Sequence, residues 1–184
     1  LAFLLGFVRH PRQVGSVIPS SGWLERRLVR TARLSEAKVV VELGPGTGGT
    51  TRAFLRAMRP DARLLAIELS DEFHARLRAT IRDPRLIVQR GSAERIGEFL
   101  TEHQLPAADV VISGIPFSTM PVEVGERIAA AVASSLAPGG RFVAYQVRAH
   151  VARRTRPVLG TPIFEWEFRN IPPMQVFTWT RPAA

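Results

Sequence analysis

The sequence predicts an α/β fold built on one mostly parallel sheet with helices on both faces. Three observations carry this reading. Runs of strand length alternate with helix-length stretches along the chain. The runs are apolar throughout, as strands buried on both faces are, instead of alternating apolar and polar. At 184 residues, with 46% hydrophobic and 22% charged side chains, the chain has the length of one compact domain and the composition for a substantial core. The expected domain covers 1–184, with a helical segment over 1–34, a core over 35–140 and a basic segment with a closing hairpin over 141–184.

The elements follow in order. A helix over Gly22–Leu34 starts at Ser20 or Ser21 as N-cap. Lys38–Leu43 (KVVVEL) is the first strand; a glycine turn and a helix over Thr50–Met58 follow, ended by Pro60 and Asp61. Arg63–Glu68 is the second strand, Asp71–Arg82 a helix stopped by Asp83 and Pro84, and Leu86–Gln89 the third strand. A helix around Glu94–Glu102 leads to a fourth strand, Val110–Ser113. Val122–Leu136 is a helix closed by Pro138, Gly139 and Gly140, and Arg141–Val147 is the fifth strand. From His150 to Leu159 the chain is arginine-rich and weakly patterned. Ile163–Arg169 and Met174–Thr180 then form a closing hairpin across Asn170, Ile171, Pro172 and Pro173, which makes a seven-stranded mixed sheet.

Charge is distributed unevenly. The net charge is +9, with Lys38 the only lysine. Residues 1–34 hold six Arg against one Glu, and residues 141–184 seven Arg against two acids, whereas the middle is nearly neutral. Basic ends around a neutral centre fit a polyanion, either nucleic acid or an anionic membrane surface; a plain solvated arginine surface is the alternative. No apolar run reaches the roughly 20 residues of a membrane span. Leu1, Phe3, Leu4, Phe7 and Val8 read either as the tail of an interfacial amphipathic helix or as a short helix packed on the core. The opening on Leu1 leads us to expect native residues upstream. Cysteine is absent, which excludes a disulfide framework, thiolate metal sites and a cysteine nucleophile, and a cytoplasmic protein fits best.

The turn after the first strand carries the strongest motif. Val39–Gly49 reads VVVELGPGTGG, with Gly44, Gly46 and Gly48 where backbone must pass close to a ligand and adopt positive φ. Gly44, Gly46 and Gly49 also satisfy the dinucleotide pattern G-x-G-x-x-G. Glu42 two residues before the first glycine, the short chain and the terminal hairpin favour S-adenosylmethionine over a dinucleotide. Glu68 ends the second strand twenty residues beyond Gly48, where a carboxylate can accept from both ribose hydroxyls, and Leu69 adjoins it. Gly91, Ser92 and Ala93 leave the third strand at the same sheet edge; Ser92 or the Ala93 amide would meet the adenine, or Ser92 is an ordinary N-cap.

The E-L-G-P-G-T-G loop, Glu68 and the G-S-A turn together resemble the class I S-adenosylmethionine-dependent methyltransferases, over almost the whole chain. Gly15–Ser21 (GSVIPSS) and Ser113–Phe117 (SGIPF) further resemble the bacterial phospholipid N-methyltransferases, which methylate phosphatidylethanolamine or related aminolipids. Those enzymes are in turn similar to ribosomal RNA adenine dimethylases, which carry Asn or Asp where this chain has Ser113. The resemblance implies a Rossmann-like domain, S-adenosylmethionine as cofactor, and transfer of methyl to a lipid amine at the inner face of the cytoplasmic membrane. An RNA adenine N6-methyltransferase is the first rival, and a non-catalytic lipid- or nucleotide-binding protein the second.

Methyl transfer to nitrogen is an in-line displacement that needs a free lone pair. An amine of pKa ~10.4 must first lose its proton, at a cost of ~4 kcal/mol near pH 7. Desolvation beside Pro116 and Phe117 would favour the neutral amine, while backbone carbonyls of Ser113 or Gly114 would accept its remaining N–H bonds. Phe117 would face the cationic product, unless SGIPF is a simple strand exit. Tyr145, the only tyrosine, reads as a polar aromatic near the head group or as a hydrogen-bonded core residue.

GSVIPSS is expected to fold over the cofactor pocket with Ser16, Ser20 or Ser21 available, though an N-cap alone explains the last two. The NIPP turn reads best as a rigid proline turn. Arg148, Arg153, Arg154 and Arg156 form the densest basic cluster and, with Arg9 and Arg12, would hold lipid or RNA phosphates. The four histidines show no ligand spacing, so no metal is expected, and no G-x-S-x-G elbow supports a hydrolase.

Overall fold

The fold was analysed in a computed structural model that describes residues 20–183. Its frame is a seven-stranded sheet in the order β3-β2-β1-β4-β5-β7-β6. The strands are β1 Val39–Leu43, β2 Arg63–Glu68, β3 Leu86–Arg90, β4 Ala108–Ser113, β5 Leu136–Gln146, β6 Ile163–Glu167 and β7 Met174–Thr180. The first five run parallel, and β7 enters antiparallel between β5 and β6.

The helices are α1 Gly22–Thr31, α2 Gly49–Ala57, α3 Asp71–Thr80, α4 Ile96–Glu102, α5 Val122–Ser135 and α6 His150–Leu159. Short side chains fix several of their starts. Ser21 caps α1 by accepting from Leu24 N–H at 3.2 Å, and Ser70 caps α3 by accepting from Phe73 N–H at 3.4 Å.

The central strand shows how the core divides. Val39, Val41 and Leu43 point to one face, where they join Ile128 and Val132 of α5 and Val151 of α6. Val40 points to the other, among Leu24 and Leu28 of α1 and Phe54 of α2. Because side chains alternate along a strand, an all-apolar run such as VVVEL serves both layers at once.

Two stretches differ from the sequence expectation. Residues 150–159 form a helix, where only a weakly patterned basic stretch was expected. Val151 and Thr155, one turn apart, are fully buried, and Thr155 Oγ1 donates to the Val151 carbonyl at 2.9 Å. A two-residue buried stripe suffices there because α6 packs on α5 and β7, but it is too short to emerge among arginines.

The second difference lies at β5, which starts at Leu136, directly after α5. Pro138, Gly139 and Gly140, expected only to close the preceding helix, therefore lie within an extended strand. The pairing with β4 jumps from Ala108↔Leu136 to Val110↔Arg141, so these residues form an irregularity in the ladder. The smaller shifts are at element ends: α1 stops at Thr31, α3 at Thr80 and β6 at Glu167, and α4 is preceded by a 3₁₀ turn over Ala93–Arg95.

Candidate active site

The carboxyl ends of β1, β2 and β4 meet at one edge of the sheet. Gly44 leaves β1 with its N–H on the Ile67 carbonyl at 3.0 Å, and the loop turns towards α2. At Gly46, φ is +56° and the space where a Cβ would stand is open, so backbone alone faces that side. At Gly48, φ is +83° and a Cβ would lie 2.7 Å from Leu77 Cδ2, so the turn packs against α3 only with glycine there.

Glu68 is built into this loop. Its Oε2 accepts from Gly46 N–H at 3.0 Å and its Oε1 from Ser70 N–H at 2.9 Å. Each oxygen keeps a second lone pair. Burial raises the Glu68 pKa, while the Ser70 and Gly46 amides oppose the rise. Leu69, half-buried, follows at the same edge. A carboxylate held beside an open, glycine-lined turn fits the ribose and carboxyl-amine portions of a nucleosyl cofactor.

Glu42, expected from the loop motif as a cofactor-binding residue, is bonded within the protein instead. It is 2% exposed, and the Thr50 and Thr51 hydroxyls donate to its two oxygens at 2.5 and 2.6 Å. It thus clips β1 to the first turn of α2 beneath the loop and offers no surface to a ligand. Burial pushes its pKa up to about 7, against the pull of the two threonines.

Ser92 caps the 3₁₀ turn, accepting from Glu94 N–H at 3.3 Å and donating to Glu94 Oε1 at 3.2 Å, and Ala93 is buried. The ordinary N-cap reading thus accounts for the Ser92 hydroxyl.

The second loop leaves β4 at Ser113, which is level with Leu43 of β1 and Ala144 of β5. Ser113 is fully buried with its Oγ accepting from Ile115 N–H at 3.3 Å, so only backbone can serve a ligand there. Gly114 N–H donates to the Leu43 carbonyl at 3.1 Å. The two loops touch, since a Cβ on Gly44 would lie 3.0 Å from Ile115 Cγ1.

Tyr145 lies directly over Gly114: a Cβ on that glycine would stand 2.3 Å from the Tyr145 Oη. The phenol pKa is raised, first by burial and then by Glu42, with the Thr50 and Ser20 hydroxyls opposing. The fold thus brings together Gly114 and Tyr145, thirty-one residues apart.

Phe117 corrects another expectation. Its ring is fully buried in the core cluster below the edge, so it supports the loop and has no face open to a product cation. Pro116 is half-buried, and its carbonyl accepts from Thr119 N–H at 3.1 Å. The residue that fixes this loop is Gln146, which sequence reasoning missed. Its Nε2 donates to the Ile115 carbonyl at 2.7 Å and its Oε1 accepts from Phe117 N–H at 3.2 Å. The strand's only side-chain amide was the available signal.

The basic cluster divides. Arg154 turns inward, its Nη1 donating to the Met120 and Pro121 carbonyls at 3.0 and 3.1 Å, so it anchors α6 to the start of α5. Arg148, Arg153 and Arg156 are exposed. Ser16, Arg9, Arg12 and the Leu1–Val8 stretch lie outside the described residues.

Comparison with known proteins agrees with this geometry. Residues 40–140 match the methyltransferase domain family. The ornithine lipid N-methyltransferase of Singulisphaera acidiphila is 33% identical over 93% of this chain and 90% of its own. The ribosomal RNA small subunit methyltransferase A of Streptomyces griseus subsp. griseus is 33% identical over 64% of this chain but only 40% of its own. In structure, the O-methyltransferase TomG from Streptomyces achromogenes, solved with SAM, superposes over 100% of this chain and 90% of its own, with TM-score 0.71 and 19% identity.

The chain therefore belongs to the methyltransferase domain family, with the Rossmann-like fold of the S-adenosylmethionine-dependent enzymes. Its cofactor is S-adenosylmethionine, and the open backbone at Gly46 beside the Glu68 carboxylate fits that group.

Proposed function

We propose that this protein is an N-methyltransferase acting on the amine head group of a membrane aminolipid. The observation that carries the reading is the similarity to the ornithine lipid N-methyltransferase of Singulisphaera acidiphila, which runs nearly end to end in both chains. The match to the ribosomal RNA methyltransferase of Streptomyces griseus covers under half of that protein. Among the described residues no helix is long and apolar enough to cross a membrane.

When bound, the cofactor supplies an electrophilic methyl group on a sulfonium. The chain's own groups have three tasks. Gly46 and Glu68 hold the nucleoside end. Gln146 fixes the Ile115–Phe117 turn so that the Ser113 and Gly114 carbonyls can accept N–H bonds from the incoming amine and aim its lone pair. Pro116 and Tyr145 exclude water around it, which lowers the cost of holding the amine neutral, about 4 kcal/mol at pH 7 for an unperturbed amine. No side chain is required to act as a strong base, because the amine loses its proton to solvent before it enters.

An RNA adenine N6-methyltransferase is the second reading, favoured by the ribosomal RNA relatives. Labelled S-adenosylmethionine offered with aminolipid vesicles and with RNA separates the two. Label is expected in the lipid fraction; label in adenine with none in lipid overturns the proposal.

A further inference from the structure

We propose that one face of the sheet edge, the aromatic row Phe164, Trp166 and Phe168 together with Arg148, Arg153 and Arg156, docks this protein on an anionic lipid bilayer. The proposal rests on the aminolipid reading and gives it a surface.

β6 is an edge strand, where exposed rings are unusual because edges are ordinarily protected with charge or proline. Here the rings are 52%, 40% and 70% exposed. Phe164 and Trp166 share one face of the strand, and Phe168 follows in the turn just beyond it. The Trp166 and Phe168 rings stack at 5.5 Å, and Phe164 lies 5.7 Å from Phe177, a buried residue of the core that α6 covers. On the opposite face Glu165 and Glu167 accept from Arg27 at 2.7 and 2.8 Å. The alternation of strand side chains thus sorts the acids to one side and the rings to the other.

The arginines lie on or just before α6, the helix that covers the Phe177 face of the sheet. Arg154 points to α5, so Arg156, two positions on, lies on the far flank of α6, and Trp179 Nε1 ties the end of that helix to β7 through the Gly160 carbonyl at 3.1 Å. Arg148 follows β5 just beyond Gln146, whose partner in β7 is Gln175, and Gln175 pairs with Trp166 of β6. Trp166 and Arg148 are therefore at the same end of the sheet as Ser113 and Gly114, which leave the neighbouring strand two levels below. Docking here turns the candidate active site towards the bilayer.

The charge is uncompensated. Arg148, Arg153 and Arg156 make no ion pair among the described residues. Residues 1–19 contain no acid to pair with these arginines. An occupant that accepts both rings and guanidinium groups is the interfacial layer of an anionic membrane, with phosphates for the arginines and the acyl boundary for the rings. Single-stranded nucleic acid fits less well, because Trp166 and Phe168 stack on each other instead of presenting free faces to bases.

The test uses the full chain with vesicles of phosphatidylcholine alone and with phosphatidylglycerol added. Wild type is expected to sediment with the anionic vesicles only. Trp166→Ser with Phe168→Ser should lower that partitioning by at least about tenfold and leave its salt dependence in place. Replacing Arg148, Arg153 and Arg156 by Ala should lower it comparably and remove the salt dependence. Tryptophan emission should shift blue on binding, and the shift should survive Trp23→Phe but not Trp166→Phe. The aromatic double variant should bind S-adenosylmethionine normally and methylate a monomeric short-chain aminolipid at the wild-type rate. Failure of wild type to methylate any aminolipid would remove the proposed function while the vesicle data still decide the surface. Wild-type partitioning by the variants, no binding by wild type, burial of Trp166 in a concentration-dependent dimer, or loss of RNA binding with lipid binding unchanged each overturns it.

Discussion

The Ser21 backbone N–H donates to Asn170 Oδ1 at 2.9 Å, joining two residues 149 positions apart. Asn170 is 3% exposed, and its Nδ2 donates to the Pro172 carbonyl at 2.8 Å. One side chain therefore closes the β6–β7 turn and fixes the start of α1. Ser20, the next residue back, sits by the Tyr145 hydroxyl, so the hairpin and the site meet at the start of α1.

Asn170→Ala should destabilise the fold by about 1–3 kcal/mol, because it leaves a partly buried N–H without its acceptor. Asn170→Asp keeps the acceptor and should cost less. Urea denaturation of the three proteins gives the ordering; equal midpoints would mean that solvent satisfies Ser21.

Glu68→Ala should weaken S-adenosylmethionine binding by roughly 1.5–3 kcal/mol, the scale of charge-assisted hydrogen bonds. The effect includes loss of the Gly46 tether as well as any bond to the ribose. Calorimetric titration of the folded variant measures it, and unchanged affinity would refute the assignment.

Glu42 sets a pH dependence. Its pKa is raised by burial to about 7 from an ordinary 4.5, so the folded state holds a proton that the unfolded state has released. Stability should therefore fall as pH rises from about 5 to 7, by an amount on the order of 3 kcal/mol, and level off above. Glu42→Gln, which stays neutral, should flatten that slope and be the more stable protein at pH 8. Thermal melts of both proteins across pH 5–8 test the sign.

Glu167 works in the opposite sense. Burial would raise its pKa, but Arg27 and Arg169 hold it down at about 2. Its contribution is present above the ordinary value of 4.5 and is lost as pH falls towards 2. Arg27→Ala should cost about 1.5–3 kcal/mol at pH 7 by leaving a 2% exposed carboxylate with Arg169 as its remaining partner. It should also reduce the acid sensitivity between pH 5 and 3, read from denaturation midpoints.

Gln146→Leu removes both bonds to the Ile115–Phe117 turn. Methyl transfer should slow while S-adenosylmethionine affinity is retained, since no bond of Gln146 reaches the glycine loop. Stability should fall by about 1–3 kcal/mol for the amide and carbonyl left unpaired. A variant with full turnover would show that the turn needs no side-chain anchor.

Strong local signals made much of this architecture legible. β2 and β7 fall at the expected boundaries, because uninterrupted apolar or β-branched runs between clear breakers leave little room for error. Glu68 stands out in the sequence because its distance from the glycine turn is a property of one βα unit, and the structure bonds it to Gly46 of that turn. Roles that depend on distant partners were hidden. Glu42 reads as a cofactor ligand until Thr50 and Thr51 are seen to occupy both oxygens, and Phe117 reads as a site residue until its ring is seen in the core. Arg154 cannot be told from Arg153 in the sequence; only the Met120 and Pro121 carbonyls beside it make it an anchor. The ladder irregularity at Pro138–Gly140 escapes for the same reason, since its cause is the pairing with Ala108 and Val110.

The strand order has a consequence for biosynthesis. β7 follows β6 in the chain but lies between it and β5, so β6 has no neighbour to pair with until β7 has been made. A nascent chain that has reached only Glu167 exposes the open side of β5, with Phe142 still lacking Trp179, and a second strand bearing two unsheltered rings, Phe164 and Trp166. Translation must pass Thr180 before either is covered. A nonsense codon or proteolytic cut between the two strands would thus strand both together, which makes the short stretch around Asn170 the point where interruption would most readily yield an aggregating fragment.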